Sequence, residues 1–395
     1  MSVLASQTPV RFPVRVLPPL DYRLLGAIVA LTVLGLVMVA SASISLAERN
    51  LGAPLYYFQR QLLFVAGAYA LGWIALNTPL ETVQRMSGLL MLFALLLLVL
   101  VLVPGVGREV NGATRWIPLG IINLQVSEVM KLSLMIYLAA FLVRRGPQVR
   151  SRIATFMVPV GVMALISFLL LLQPDFGAAV VMVATGMGML FLAGVPLSRF
   201  IVLVLTAGSA AVALIYASPY RLERLLSFSN PWADPFNSGF QLTQSLIAIG
   251  RGELFGVGLG GSVQKLFYLP EAHTDFVFAV LAEELGLLGI LVLVGLYSYV
   301  CWRVMATGAR SLRSGRPFGG YLCFGVGIWL AIQGFVNAGV NMGLLPTKGL
   351  TLPLLSYGGS SLLMTVLALA LVLRAGHEAD HAGNRAGADE RRART

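Results

Sequence analysis

The chain has 395 residues, of which 57% are hydrophobic and only 11% charged, and it carries a formal net charge of +11. Soluble domains hold about a quarter charged residues, so a mean hydropathy of +0.84 excludes an ordinary soluble enzyme. The positive charge would suit nucleic acid, but its placement beside apolar runs follows the positive-inside bias and gives no nucleic-acid partner.

Residues 1–21 read as an N-terminal tail bearing Arg11 and Arg15. A spanning helix needs about 20 apolar residues. Such runs recur near 22–46, 58–77, 85–104, 125–143, 153–172, 176–195, 199–217, 274–302, 319–343 and 352–374. Strands would alternate apolar and polar residues; the run Leu95-Leu96-Leu97-Leu98-Val99-Leu100 does not. The pattern predicts an all-α polytopic membrane protein of about ten transmembrane helices over 22–374, with a large outward loop, 218–275, between helices 7 and 8. The first run outlasts a signal-peptide core and lacks a cleavage site, so it reads as a retained span. Cys301 and Cys323 lie inside apolar runs and read as buried thiols. The end, 375–395, is Gly/Ala/Arg-rich and reads as a disordered tail.

Orientation follows from arginine placement. Arg23, the group Arg144, Arg145, Arg150 and Arg152, the group Arg303, Arg310, Arg313 and Arg316, and the tail all fall on one face. Both termini are therefore expected in the cytoplasm, and the long loop outside.

The outward face nonetheless holds Arg108, Arg115, Arg221, Arg224, Arg251, Lys265 and Lys348, with Lys131 just inside helix 4. Each could be solvated or paired with Glu109, Glu223 or Glu253. As a set they suit an anionic ligand such as phosphate. Glu128 and Lys131, three apart, share a helix face and can neutralise each other. Gln333, Asn337 and Asn341 form a stripe on helix 9 that reads as a polar cavity; Ser356 and Ser360 read as interhelical hydrogen bonding. Asp175, in Gln173-Pro174-Asp175-Phe176-Gly177, is either a helix cap or functional. Gly256-Val257-Gly258-Leu259-Gly260-Gly261 fits G-x-G-x-x-G by letter, but a dinucleotide site needs a βαβ unit around it. It reads as a turn that lets the loop fold back.

An outward site has no ATP, and the three histidines, His273, His377 and His381, make no metal cluster. A substrate there must carry its own activation, as a lipid diphosphate-linked sugar does. Asp275, where the loop meets an apolar run, is placed to act as a carboxylate base.

Several segments resemble one family. They are Asn230-Pro231-Trp232-Ala233-Asp234-Pro235, Gly239-Phe240-Gln241-Leu242, Tyr268 through Phe276, Ala282-Glu283-Glu284-Leu285-Gly286, Leu345 through Pro353 and Ser356 through Ser361. Together, over about 22–374, they are similar to the SEDS family, and Lys348 through Pro353 resembles its FtsW-like division branch; elongation- and sporulation-type members are close alternatives. The resemblance implies a ten-helix peptidoglycan glycosyltransferase that polymerises lipid II on the outer leaflet of the bacterial inner membrane at the division septum. Asp275 then corresponds to the family's essential aspartate and general base, in an inverting displacement of undecaprenyl diphosphate. Arg115, Lys131, Arg221, Lys265 and Lys348 are candidate diphosphate clamps. Glu128, His273, Glu283 and Asn337 are supporting residues. The resemblance fixes no cofactor; a divalent cation, Mg or Mn, is compatible with the diphosphate, but the sequence shows no dedicated ligand set for it. The implied partners are lipid II, membrane lipids, a single-span class B transpeptidase (a penicillin-binding protein) and other division proteins. A lipid II flippase or a recruiting scaffold would share these helices; loss of turnover in Asp275→Asn separates a transferase from both.

Overall fold

The structure is a computed structural model that describes residues 20–110, 112–120, 122–217, 228, 230–237, 239–266, 268–346 and 349–394, with side chains to 382. Its helices are α1 (Tyr22–Leu51), α2 (Tyr56–Asn77), α3 (Leu80–Arg85), α4 (Ser87–Leu100), α5 (Val126–Ser151), α6 (Ile153–Leu172), α7 (Phe176–Leu192), α8 (Leu197–Tyr216), α9 (Phe240–Arg251), α10 (Val277–Arg313), α11 (Pro317–Asn341) and α12 (Gly359–Arg394). A helix stands at each of the ten apolar positions. Among the described residues, seven helices are long and apolar enough to cross a membrane: α1, α5, α6, α8, α10, α11 and α12 to Ala382. The apolar helices α4 and α7 are shorter.

This is a polytopic helical membrane protein. Its centre is α5, buried on nearly every side from Val126 to Leu142, against α4, α6, α7, α11 and α12. An all-round apolar helix belongs in such a core. The outer helices bury one stripe each. On α2 that stripe is Phe64, Ala68, Gly72 and Ala75, while Leu63 and Trp73 on other faces are exposed, as contact with lipid requires.

Two features depart from the expectation. The segment between α4 and α5 is a three-stranded antiparallel sheet, β1 (Arg108–Val110), β2 (Ala113–Pro118) and β3 (Asn123–Gln125). It pairs Val110 with Ala113 and Trp116 with Gln125. Its β-branched and aromatic residues suit strands, in a stretch too polar for a span. The last helix begins at Gly359, leaving Ser356 in the preceding turn, and it continues past 374 to Arg394 instead of ending with the apolar run.

The long helix α10 is broken. Gly286 has φ +64°, so two helices meet there. A break leaves carbonyls before it and amides after it without helical partners, and at membrane depth these must be satisfied by protein. The loop after α9 does this. Val257 N and Gly258 N donate to the carbonyls of Glu283 and Glu284, both at 3.0 Å. Leu287 N and Leu288 N donate to the carbonyls of Glu253 and Leu254, at 2.9 and 3.2 Å. Such an approach excludes side chains: a Cβ on Gly252 would fall 1.9 Å from Ala282 O, and one on Gly256 2.1 Å from Glu284 O. The G-x-G-x-x-G letters are thus a packing turn against a helix break.

At the opposite end of the bundle, Asp21 caps α1 by accepting from Leu24 N at 3.1 Å and bonds Arg303 of α10. Arg310 lies 3.7 Å from Asp21 and 3.5 Å from Asp380 of α12, so three helices meet in one charged cluster.

Candidate active site

Asp275 sits half-buried in the turn before α10, two residues ahead of Val277. Its main-chain carbonyl accepts two hydrogen bonds, from Asn337 Nδ2 at 2.9 Å and Asn341 Nδ2 at 3.1 Å. Both amides are at most 2% exposed. Asn341 Oδ1 also takes the Ala279 amide at 3.2 Å, so α11 grips the start of α10 at two levels.

The same stripe holds the segment leading to α12. Asn337 Nδ2 donates to Leu350 O at 2.6 Å, and Gln333 Nε2 to Thr351 O at 2.9 Å. That strap passes close to the carboxylate: a Cβ on Gly349 would lie 3.2 Å from Asp275 Oδ2. Leu350 in turn abuts Gly177, where a Cβ would meet its side chain at 3.3 Å. Strap, Asp275 and the α6–α7 hairpin therefore converge.

Lys131 lies under the strap, 3% exposed. Its ammonium bonds Glu128 Oε1 at 2.7 Å and Gln333 Oε1 at 2.8 Å, and stands 5.1 Å from the centre of the Trp329 ring. The mutual neutralisation of Glu128 and Lys131 is present. Glu128 Oε2 is buried with no partner among the described residues.

A second ion pair links the loop to the break. Lys265 Nζ bonds Glu284 Oε1 at 2.7 Å and Ser41 Oγ of α1 at 2.9 Å. Glu283, fully buried, accepts from Arg251 Nη1 and Val263 N, each at 3.0 Å, and from the Ser262 hydroxyl. These carboxylates pin the loop and do not reach Asp275 by themselves.

Arg115, on β2, donates to the carbonyls of Gln173 and Pro174 at 3.1 and 2.6 Å, and lies 3.8 Å from Asp175. Asp175 also caps α7 through Ala178 N at 3.2 Å. His273 packs between Tyr57 and Tyr357, with ring centres 5.0 and 5.4 Å away. Burial holds its imidazole below the ordinary 6.5, with the charge of Glu271 pulling the other way. Arg221 and Lys348 lie outside the described residues.

The structure thus brings Asp275, Asn337, the strap and, one layer below, Glu128 and Lys131 together. Arg115 stands at the neighbouring hairpin, and Lys265 and Glu283 form a separate node near Gly286. Gln333 and Asn341, legible in the sequence as part of the polar stripe but not among its candidate site residues, join Asn337 here: Gln333 bonds Lys131 and the strap, and Asn341 the Asp275 carbonyl. Among the described residues, no group of three or more His, Cys, Asp or Glu could hold a metal ion.

The FTSW_RODA_SPOVE family of cell cycle proteins matches residues 22–381. The chain belongs to that family. Relatives named probable peptidoglycan glycosyltransferase FtsW agree: one from Halorhodospira halophila is 60% identical over 91% of each chain. Another, from Alkalilimnicola ehrlichii, is 59% identical over 91% of this chain and 90% of that one. Family resemblance extends to solved structures. A chain from a peptidoglycan synthase complex that coordinates polymerization and crosslinking superposes with a TM-score of 0.76, at 31% identity, covering 91% of this chain and 98% of that one. The rod shape determining protein RodA of Thermus thermophilus superposes with a TM-score of 0.67, at 31% identity, over 90% and 96%.

Proposed function

We propose that this protein is a peptidoglycan glycosyltransferase that polymerises lipid II, with Asp275 as its general base. The observation that carries the assignment of the base is the double amide grip on the Asp275 carbonyl, which fixes the residue's backbone at the strap. Positioning of this kind is what a proton-transfer step demands.

In the reaction, Asp275 takes the proton from the 4-hydroxyl of the acceptor N-acetylglucosamine. That oxygen attacks C1 of the donor N-acetylmuramic acid. The bond from C1 to the phosphate oxygen breaks, and undecaprenyl diphosphate leaves with the electron pair. A single displacement turns an α-linked phosphate into a β-1,4 bond, so no protein nucleophile is needed.

The leaving diphosphate calls for cations near where charge develops. Arg115, Arg221 and Lys348 are the candidates. Lys131 and Lys265 are counterions of buried Glu128 and Glu284 in this conformation, and would have to exchange partners to serve as clamps. A Mg or Mn ion would be carried chiefly by diphosphate oxygens.

The FtsW-named relatives favour the division branch, hence the septum and the bacterial inner membrane, and the arginine placement favours cytoplasmic termini. The synthase-complex neighbour favours a single-span transpeptidase as partner. The test is polymerisation of labelled lipid II by wild-type protein and Asp275→Asn, with and without that partner. Glycan ladders from wild type alone support the assignment. Ladders from both remove Asp275 from catalysis, and ladders from neither, even with the partner present, leave the flippase or scaffold reading ahead.

A further inference from the structure

The loop that repairs the break in α10 carries an apolar tip which the catalytic reading does not use. Leu254 is 58% exposed, Phe255 77% and Leu259 61%. Their backbone is not free to sit anywhere. Because Leu287 N and Leu288 N donate to Glu253 O and Leu254 O, the tip is level with that part of α10. There the outward face of α10 is Leu288, Leu291 and Val292, each more than half exposed, in a helix long and apolar enough to span a membrane. The tip therefore lies beside this exposed apolar surface.

We infer that residues 253–259 form a wedge seated among the acyl chains of the leaflet on the active-site side. Three observations carry it. Exposed Leu and Phe side chains clustered in water would be an aggregation liability, whereas beside a lipid-facing helix they extend its apolar belt. The amides of Val257 and Gly258 and the carbonyls of Glu253 and Leu254 are all bonded to α10, so these groups of the irregular backbone find protein partners, as membrane depth demands. Finally, the charges bound the depth. Glu253 is exposed, and Arg251 keeps its side chain 44% exposed while pairing with Glu283. Both suit a headgroup layer, so the wedge is shallow, about 5–10 Å as for other interfacial elements.

The wedge gives the bilayer a hold on the loop that ends in Asp275. Ser262 and Lys265, which secure Glu283 and Glu284, follow the tip directly.

The test is spin labelling of full-length protein in phosphatidylethanolamine/phosphatidylglycerol nanodiscs, in a Cys301→Ala, Cys323→Ala background. Labels at Phe255→Cys and Leu259→Cys are compared with Leu291→Cys as lipid reference and Glu271→Cys as water reference. Collision with dissolved oxygen is read against collision with a water-soluble nickel chelate. The wedge predicts that 255 and 259 match 291, with oxygen favoured several-fold. A pattern matching 271 overturns it. Shielding from both reagents overturns it too, because that marks contact with protein such as a second copy. Should the labelled chain fail to fold, Phe255→Trp with brominated acyl chains gives the same decision against the wild-type protein and its five tryptophans: emission added by Trp at 255 that is strongly quenched supports the wedge, and added emission that is not quenched refutes it.

Discussion

Replacing Glu284 with Gln tests the reasoning about buried charge most directly. Its carboxylate is fully buried and 2.7 Å from the Lys265 ammonium, which is itself only 7% exposed. At an effective dielectric of about 20, unit charges at that distance attract by roughly 6 kcal/mol. Desolvation offsets much of this, and breaking such a pair costs about 3–5 kcal/mol, because the surviving charge is stranded. Glutamine keeps the shape and a hydrogen-bond acceptor but strands the ammonium on Ser41 and an amide oxygen. Lys265→Met strands the carboxylate instead. The double variant, neutral on both sides, should cost less than either single change. Unfolding free energy in mixed micelles, followed by SDS titration, supplies the double-mutant cycle. If the two single costs simply add, the pair is not electrostatically coupled and its role as a counterion pair fails.

Asp275→Asn should lower polymerisation about 10²–10⁴-fold, the range for losing a general base, with thermal stability unchanged. Asn341→Ala removes one of two bonds to the Asp275 carbonyl and should cut kcat about tenfold with KM little altered, for a loss near 1.4 kcal/mol; a change confined to KM would count against a positioning role. Gly286→Ala places a Cβ 2.4 Å from Gly256 N at φ +64°, so beyond the roughly 1–2 kcal/mol of a left-handed residue it should release the 252–258 segment, seen as faster limited proteolysis there. His273 is held neutral by burial, so the unfolded chain binds a proton at higher pH than the folded one. Stability should therefore fall as pH drops below about 6.5, and the fall should be smaller in His273→Gln; equal slopes would show that another group is responsible.

Much of the frame was legible because membrane spans announce themselves by length and hydropathy. The pairing of Glu128 with Lys131 followed from helical spacing alone. The amide stripe was visible as 333, 337 and 341, yet its targets were not, since Asp275 and Thr351 reach it only through the tertiary fold. Lys265 looked like a ligand cation because its partner, Glu284, lies 19 residues away across a turn no periodicity reveals. Gly286 was hidden inside an apolar helical pattern: a break needs a partner segment to complete it, and that segment, 252–258, sits across the loop. The sheet at 108–125 was missed because its strands are three to six residues long, below what alternation can signal.

The charged cluster at the end opposite Asp275 bears on how the chain is made. Asp21, at the very start of the first span, waits for Arg303, which is 282 residues downstream. At about 5–20 residues per second, that partner leaves the ribosome roughly 15–60 seconds later, and Asp380 of the last helix later still. The first helix must therefore sit in the membrane, its cap complete but its ion pair unmade, until nearly the whole protein has been synthesised. Assembly of the bundle is closed by its last helices.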